Sequence, residues 1–290
     1  MKAPHDRYAA RRARGFTLIE IVVVLFILGV VITMAAGITK ALTASQKLSV
    51  TTTRLAAVDT AIVQYVMQQK RLPCPADGTV LSTANGAGTE TARNAATGCT
   101  TNQTGGVVPW RELGLSESDA TDGWNHRLTY RVQPGLAADS GMDMSWCDPA
   151  GTDVVGGPKA CNSACASATL NSCTTPATFL TTRGLKVRNI AGNTIMDPAG
   201  TPNTGAAYVV ISAGSSGGGA YLSSGQLSVT TTVDGTEEQK NYANAAYSAA
   251  GYYVDDSISD VSGATHFDDI VSRPAVLTVI NKAGLGPRSH

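Results

Sequence analysis

The sequence predicts an α+β fold: a long N-terminal helix packed on a mainly antiparallel β-sheet, with long loops stapled by disulfides. Three observations predict it. An apolar run near the N-terminus passes into a segment of helical period that stops at Pro73. Further on, short apolar stretches at 128–132 and 207–212 have strand character. Six cysteines, Cys74, Cys99, Cys147, Cys161, Cys165 and Cys173, all follow the apolar run.

The N-terminal elements come first. Between Phe16 and Thr39 the only charged residue is Glu20, and the 18 residues from Ile21 to Ile38 carry none. About 20 apolar residues at 1.5 Å rise span a bilayer core, so 16–39 is expected to cross a membrane as a helix. Ahead of it, Lys2, Arg7, Arg11, Arg12 and Arg14 face a single acid, Asp6. A basic flank stays cytoplasmic, and the rest of the chain is expected on the outer side. A secretory signal would have a shorter apolar core and a small-residue cleavage site after it. An ordinary anchor leaves Glu20 unexplained, because a carboxylate in a spanning helix is costly and needs a partner. Beyond the run, Leu48, Leu55, Val58, Ile62 and Val66 recur at helical spacing. Lys47, Arg54, Asp59, Gln64 and Gln68 fall largely on other faces. The expected organisation is therefore a leader at 1–15, the apolar helix at 16–39, an amphipathic extension at 40–73 and a globular head at 74–290.

Gly15-Phe16-Thr17-Leu18-Ile19-Glu20 with its apolar run resembles the processing site of type IV pilins and type II secretion pseudopilins. The resemblance implies that a prepilin peptidase cuts between Gly15 and Phe16 and that the Phe16 amine is then N-methylated. It implies that Glu20 pairs with the amine of a neighbouring subunit, which gives the buried acid its partner and sets the stagger between copies. The implied fold is pilin-like. The implied partners are the peptidase, other pilin or pseudopilin subunits in a helical filament, and an inner-membrane assembly platform. The implied location is the bacterial inner membrane in a single pass, head in the periplasm, and then the filament.

Composition narrows the function. With 22 basic and 22 acidic residues the formal net charge is zero, so no nucleic-acid partner is expected. Outside the inner membrane an even set of cysteines points to disulfides, and six allow 15 pairings. Cys74 with Cys99 closes one loop and is preferred; the other four would staple the 147–173 region. A four-thiol metal cluster is the alternative, but no pair of C-x2-C knuckles is present.

In the head, Leu72 to Gly78 reads as a turn, 79–106 as a long surface loop, and 107–115 as a short apolar entry with one helical turn. Asp122-Gly123-Trp124-Asn125 opens a turn into Leu128, Tyr130 and Val132, which alternate as a half-buried strand. This block resembles the one where the major pseudopilins begin their sheet, with Gly123 in place of a proline. His126 is expected as an exposed turn residue. Residues 134–206 look like an elaborate insertion with a strand at 184–190. Ala207 to Ser212 is a continuous apolar run expected as a buried central strand. The glycine-rich loop after it lacks the lysine and helix of a phosphate-binding loop.

That strand and loop also resemble the pseudopilin segment that contributes to a calcium site. Ser215 and Ser216 stand where an acid is expected, and Asp268 and Asp269 look like the later aspartate. Calcium takes six to eight oxygens, several of them charged. No other cofactor is expected. The tail is expected to hold an edge strand interrupted at Pro274, then a strand or short helix at 276–280, and disorder from Gly284.

No catalytic residues are assigned, and the chain is expected not to be an enzyme. The expected function is that of a structural subunit of a type II secretion pseudopilus or related type IV pilus. A minor tip or priming subunit for adhesion, motility or DNA uptake is the alternative within the class. A membrane-anchored periplasmic binding protein or enzyme is the alternative outside it.

Overall fold

The structure, a computed structural model, describes residues 17–100, 103–144, 147–148, 159–160, 179–229, 235–248, 250–259 and 261–286. At 34–41, 147–148 and 159–160 only the backbone is described. The chain divides into two compact units, Met1–Gln46 and Lys47–His290.

Helix α1 runs from Leu18 to Gln69. In the first unit its described side chains are exposed: Leu18 at 82% and Phe26 at 73% are the extremes of a continuous apolar surface. Among the described residues no helix is long and apolar enough to cross a membrane. The side chains of 34–41, the later part of the apolar run, lie outside the described set.

In the second unit α1 has a clear inner stripe. Leu55, Val58, Ile62 and Val66 are buried, as their spacing predicts, while Leu48 stays 37% exposed. Each fully buried aliphatic side chain of this kind contributes about 1.5–3 kcal/mol. The helix stops at Gln69, ahead of Pro73. Lys70 takes a left-handed conformation (φ 57°), and its amide closes the last turn on the Val66 carbonyl at 2.8 Å.

The helix packs on a five-stranded antiparallel sheet. Its strands are β1 (Ala76–Asp77), β4 (Gly106–Val107), β5 (Thr129–Val132), β10 (Tyr208–Ser212) and β12 (Ile270–Ser272), in that spatial order. Between β1 and β4 lies a small hairpin of β2 (Arg93–Asn94) and β3 (Gly98–Cys99). The expected surface loop 79–106 is thus partly structured. It is tied by a disulfide between Cys74 and Cys99, the preferred pairing. Cys161, Cys165 and Cys173 lie outside the described residues. Cys147 is described only as backbone in β6 (Cys147–Asp148), which pairs in parallel with β7 (Lys159–Ala160).

A second sheet covers the other face. Strand β8 (Val187–Arg188) pairs antiparallel with β9 (Thr194–Met196) and parallel with β11 (Tyr253–Val254). Tyr208 and Val210 belong to the core shared with α1, whereas Val209 and Ile211 pack with Leu185, Val187, Met196 and Tyr253. That explains the unbroken apolar run of β10: both of its faces are covered.

It also corrects the expectation for β5. All four residues are buried, not every second one. Arg131 is sealed between layers, where its guanidinium donates to the carbonyls of Gly106, Tyr130, Tyr242, Ala243 and Ala245. Arg127, just ahead of the strand, is buried the same way against Glu117, Gly78, Val80, Ser82 and Ser223. Arginine's five donors let a strand hide a charge on a face that alternation assigns to water.

The tail closes the core. β12 is the expected edge strand, and Val276–Lys282 forms the short helix α2. The expected disorder after Gly284 is corrected by Leu285, which is buried and bonded through its amide to Ile280 and through its carbonyl to Met144.

Candidate functional site

At the N-terminus Thr17 and Glu20 close α1 reciprocally. The Thr17 amide donates to Glu20 Oε2 at 2.9 Å and its hydroxyl to the same oxygen at 3.0 Å, while the Glu20 amide donates to Thr17 Oγ1 at 3.3 Å. This is a capping box. The Thr-x-x-Glu spacing ahead of an apolar run was the signal for it in the sequence. In the isolated chain the acid therefore has a local partner. Gly15 and Phe16 lie outside the described residues.

The Asp122 block docks the sheet onto α1. Arg54 donates to the carbonyls of Thr121 and Asp122, and Thr51 Oγ1 receives the Gly123 amide at 2.9 Å. A Cβ at Gly123 would stand 2.4 Å from the Lys47 carbonyl oxygen, so the backbones approach too closely for any other residue, proline included. Asp59, assigned by periodicity to an outer face, instead accepts from Tyr208 at 2.9 Å and Ser272 at 2.6 Å, tying α1 to β10 and β12.

His126 is 7% exposed, which corrects the expectation of an exposed turn residue. Its Nε2 lies 2.9 Å from Ser228 Oγ, and its Nδ1 lies 3.4 Å from Asp122 Oδ2 without hydrogen-bond alignment. Asp122 is already engaged by the amides of Trp124 and His126 and by Ser212 Oγ. The order Asp, His, Ser is that of a hydrolase relay. A Cβ at Gly217 (φ 68°) would stand 2.7 Å from Ser228 Oγ, so glycine is needed beside this contact. The three groups tie the turn, β10 and the loop before residue 229 together.

Asp268 and Asp269 have different partners. Asp268 accepts from Ser215 Oγ at 2.8 Å, the Ser216 amide at 2.7 Å and Ser216 Oγ at 2.9 Å. Asp269 accepts from Asn241 at 2.8 Å. The two serines standing in the acid's place thus clasp Asp268 directly. Glu238, which sequence reading did not single out, completes the group: its Oε1 receives the Asp268 amide at 2.7 Å, and His266 Nδ1 lies 2.9 Å from its Oε2. Burial pushes the Glu238 carboxyl up, against the lowering pull of His266 and the Asp268 amide. Asp269 lies outside the group that Glu238, His266 and Asp268 form. A separate open cleft of about 430 Å³ is lined by Thr236, Gln239, Tyr252 and Tyr253, with Lys240 its one charged residue.

A family model described as the prokaryotic N-terminal methylation motif matches residues 10–36. The chain carries the N-terminal motif typical of type IV pilins and pseudopilins. The motif is that of a pilin-like or pseudopilin precursor, a class processed by a prepilin peptidase and assembled with other pilins. It points to a structural family, not an enzyme. No curated protein and no solved structure matches the chain.

Proposed function

We propose that the chain is a structural subunit of a type II secretion pseudopilus or a related type IV pilus. In this reading residues 16–39 hold it in the inner membrane with the head in the periplasm. Cleavage falls between Gly15 and Phe16, and the Phe16 amine is methylated. The subunit is then drawn into a helical filament in which the apolar surfaces of neighbouring copies bury one another. The methylation motif carries the reading. The continuous exposed apolar surface from Leu18 to Ile32 supports it, because among the described residues nothing covers that surface.

Glu20 has a defined task in this scheme. Its carboxylate, capped by Thr17 in the single chain, pairs with the Phe16 amine of the next subunit. The test is Glu20→Leu in the native membrane, read by cysteine cross-linking between heads. The expected result is normal insertion with loss of cross-linked multimers; undiminished multimers contradict the reading. The sheet of β8, β9 and β11 on the face away from α1 favours a second reading within the class, a minor subunit whose enlarged head sits at the filament tip.

A further inference from the structure

Away from the N-terminus, one cluster brings together side chains of metal-binding chemistry. Ligand atoms of Glu238, His266 and Asp268 all lie within 4.8 Å of one another. Local structure makes them converge. Phe267 exchanges both backbone hydrogen bonds with Ser259 and is itself fully buried, so its neighbours His266 and Asp268 project to the opposite side. Glu238 meets them there from the short 3-10 helix Glu238–Asn241.

The charge balance of this cluster calls for a cation. Glu238 is 1% exposed and Asp268 is 5% exposed. Among the described residues no lysine or arginine pairs with either. Adjacent buried carboxylates repel, and buried charges are as a rule paired or coordinate a metal. The single imidazole cannot balance two carboxylates.

We propose that Glu238, His266 and Asp268 bind one divalent transition-metal ion of the zinc class. One imidazole nitrogen and two carboxylate oxygens make a three-ligand set of the kind that zinc-class ions take. Calcium takes oxygen ligands only, and more of them than this cluster offers. The surrounding contacts act as an outer shell that orients the ligands: the Gly235 amide at Glu238 Oε2 (3.1 Å), the Asp268 amide at Oε1, and Ser215 and Ser216 at Asp268. The ion takes the place of the contact between His266 Nδ1 and Glu238 Oε2. This inference is independent of filament assembly.

The test is calorimetric titration of the full mature protein in detergent, thiols oxidised, with zinc chloride alone and, separately, calcium chloride. One zinc ion per chain is expected, bound at least about tenfold more tightly than calcium. His266→Asn keeps a donor for Glu238 and weakens zinc at least about tenfold. X-ray absorption of the zinc-loaded wild-type protein is expected to show imidazole and oxygen ligands and no sulfur. That measurement decides the matter even if the variant fails to fold. No zinc uptake, uptake undiminished in His266→Asn, binding of calcium alone, or sulfur ligation by cysteines of the 147–173 region would each overturn the proposal.

Discussion

Two carboxylates that contact α1 or its C-terminal end respond to pH in opposite directions. Burial alone would raise the Glu90 carboxyl, but Arg71 grips both its oxygens, at 3.0 and 2.7 Å, and the Cys74 amide adds a third donor. The balance holds Glu90 below the usual range. Its stabilisation is present above the unfolded-state pKa of about 4.3 and is lost as pH falls through the lower folded value. At Asp59 burial wins over the hydrogen bonds from Ser272 and Tyr208, and the carboxyl is raised. Its ionised form therefore weakens the fold progressively as pH climbs from the unfolded value through the folded one. Urea denaturation across pH checks both. Glu90→Gln is expected to lose about 2 kcal/mol at pH 7, with the loss shrinking in acid. Asp59→Asn is expected to gain on the wild type as pH rises. Parallel pH profiles for the two variants would contradict this assignment.

Among the elements, legibility in the sequence followed the number of layers each one touches. The inner stripe of α1 from Leu55 to Val66, the buried run of β10 and the edge strand before Pro274 could be read directly, because hydrophobic period reports a face packed on one core and an unbroken apolar run reports a strand covered on both faces. Period misreads residues whose polar tips are satisfied in the interior. Arg131, Arg127 and Asp59 looked solvated and are instead clamped by carbonyls or hydroxyls. Of the second sheet only β8 is legible, inside the strand expected at 184–190; β9 and β11 are two or three residues long and owe their position to contacts distant in sequence. Gly123 was visible as a departure from a related pattern, but its cause, the close approach of the Lys47 backbone, was not. Of the candidate sites, the Glu20 motif was fully legible, whereas Glu238 and His266 join Asp268 only through the fold. At this scale the 74–99 disulfide makes a distinct prediction. Closing a loop of 25 residues contributes about 3.5 kcal/mol by loop entropy. A Cys74→Ala/Cys99→Ala variant should lose about 2–4 kcal/mol in denaturant titrations, and no loss would show the 76–107 region to be held by its hydrogen bonds alone.

For the whole molecule, the two units answer to different physics. Residues 47–290 bury helix, two sheets and a closing tail around their own core. Residues 17–33 expose an apolar surface that no described residue covers. A membrane and then neighbouring subunits supply that cover in the proposed scheme, and the leader must be removed before the second step. Intact-mass and N-terminal peptide analysis of the protein from its native membrane tests this most directly. The account predicts a mature chain starting at Phe16 with one added methyl group on its amine. A chain that still begins at Met1 would contradict it.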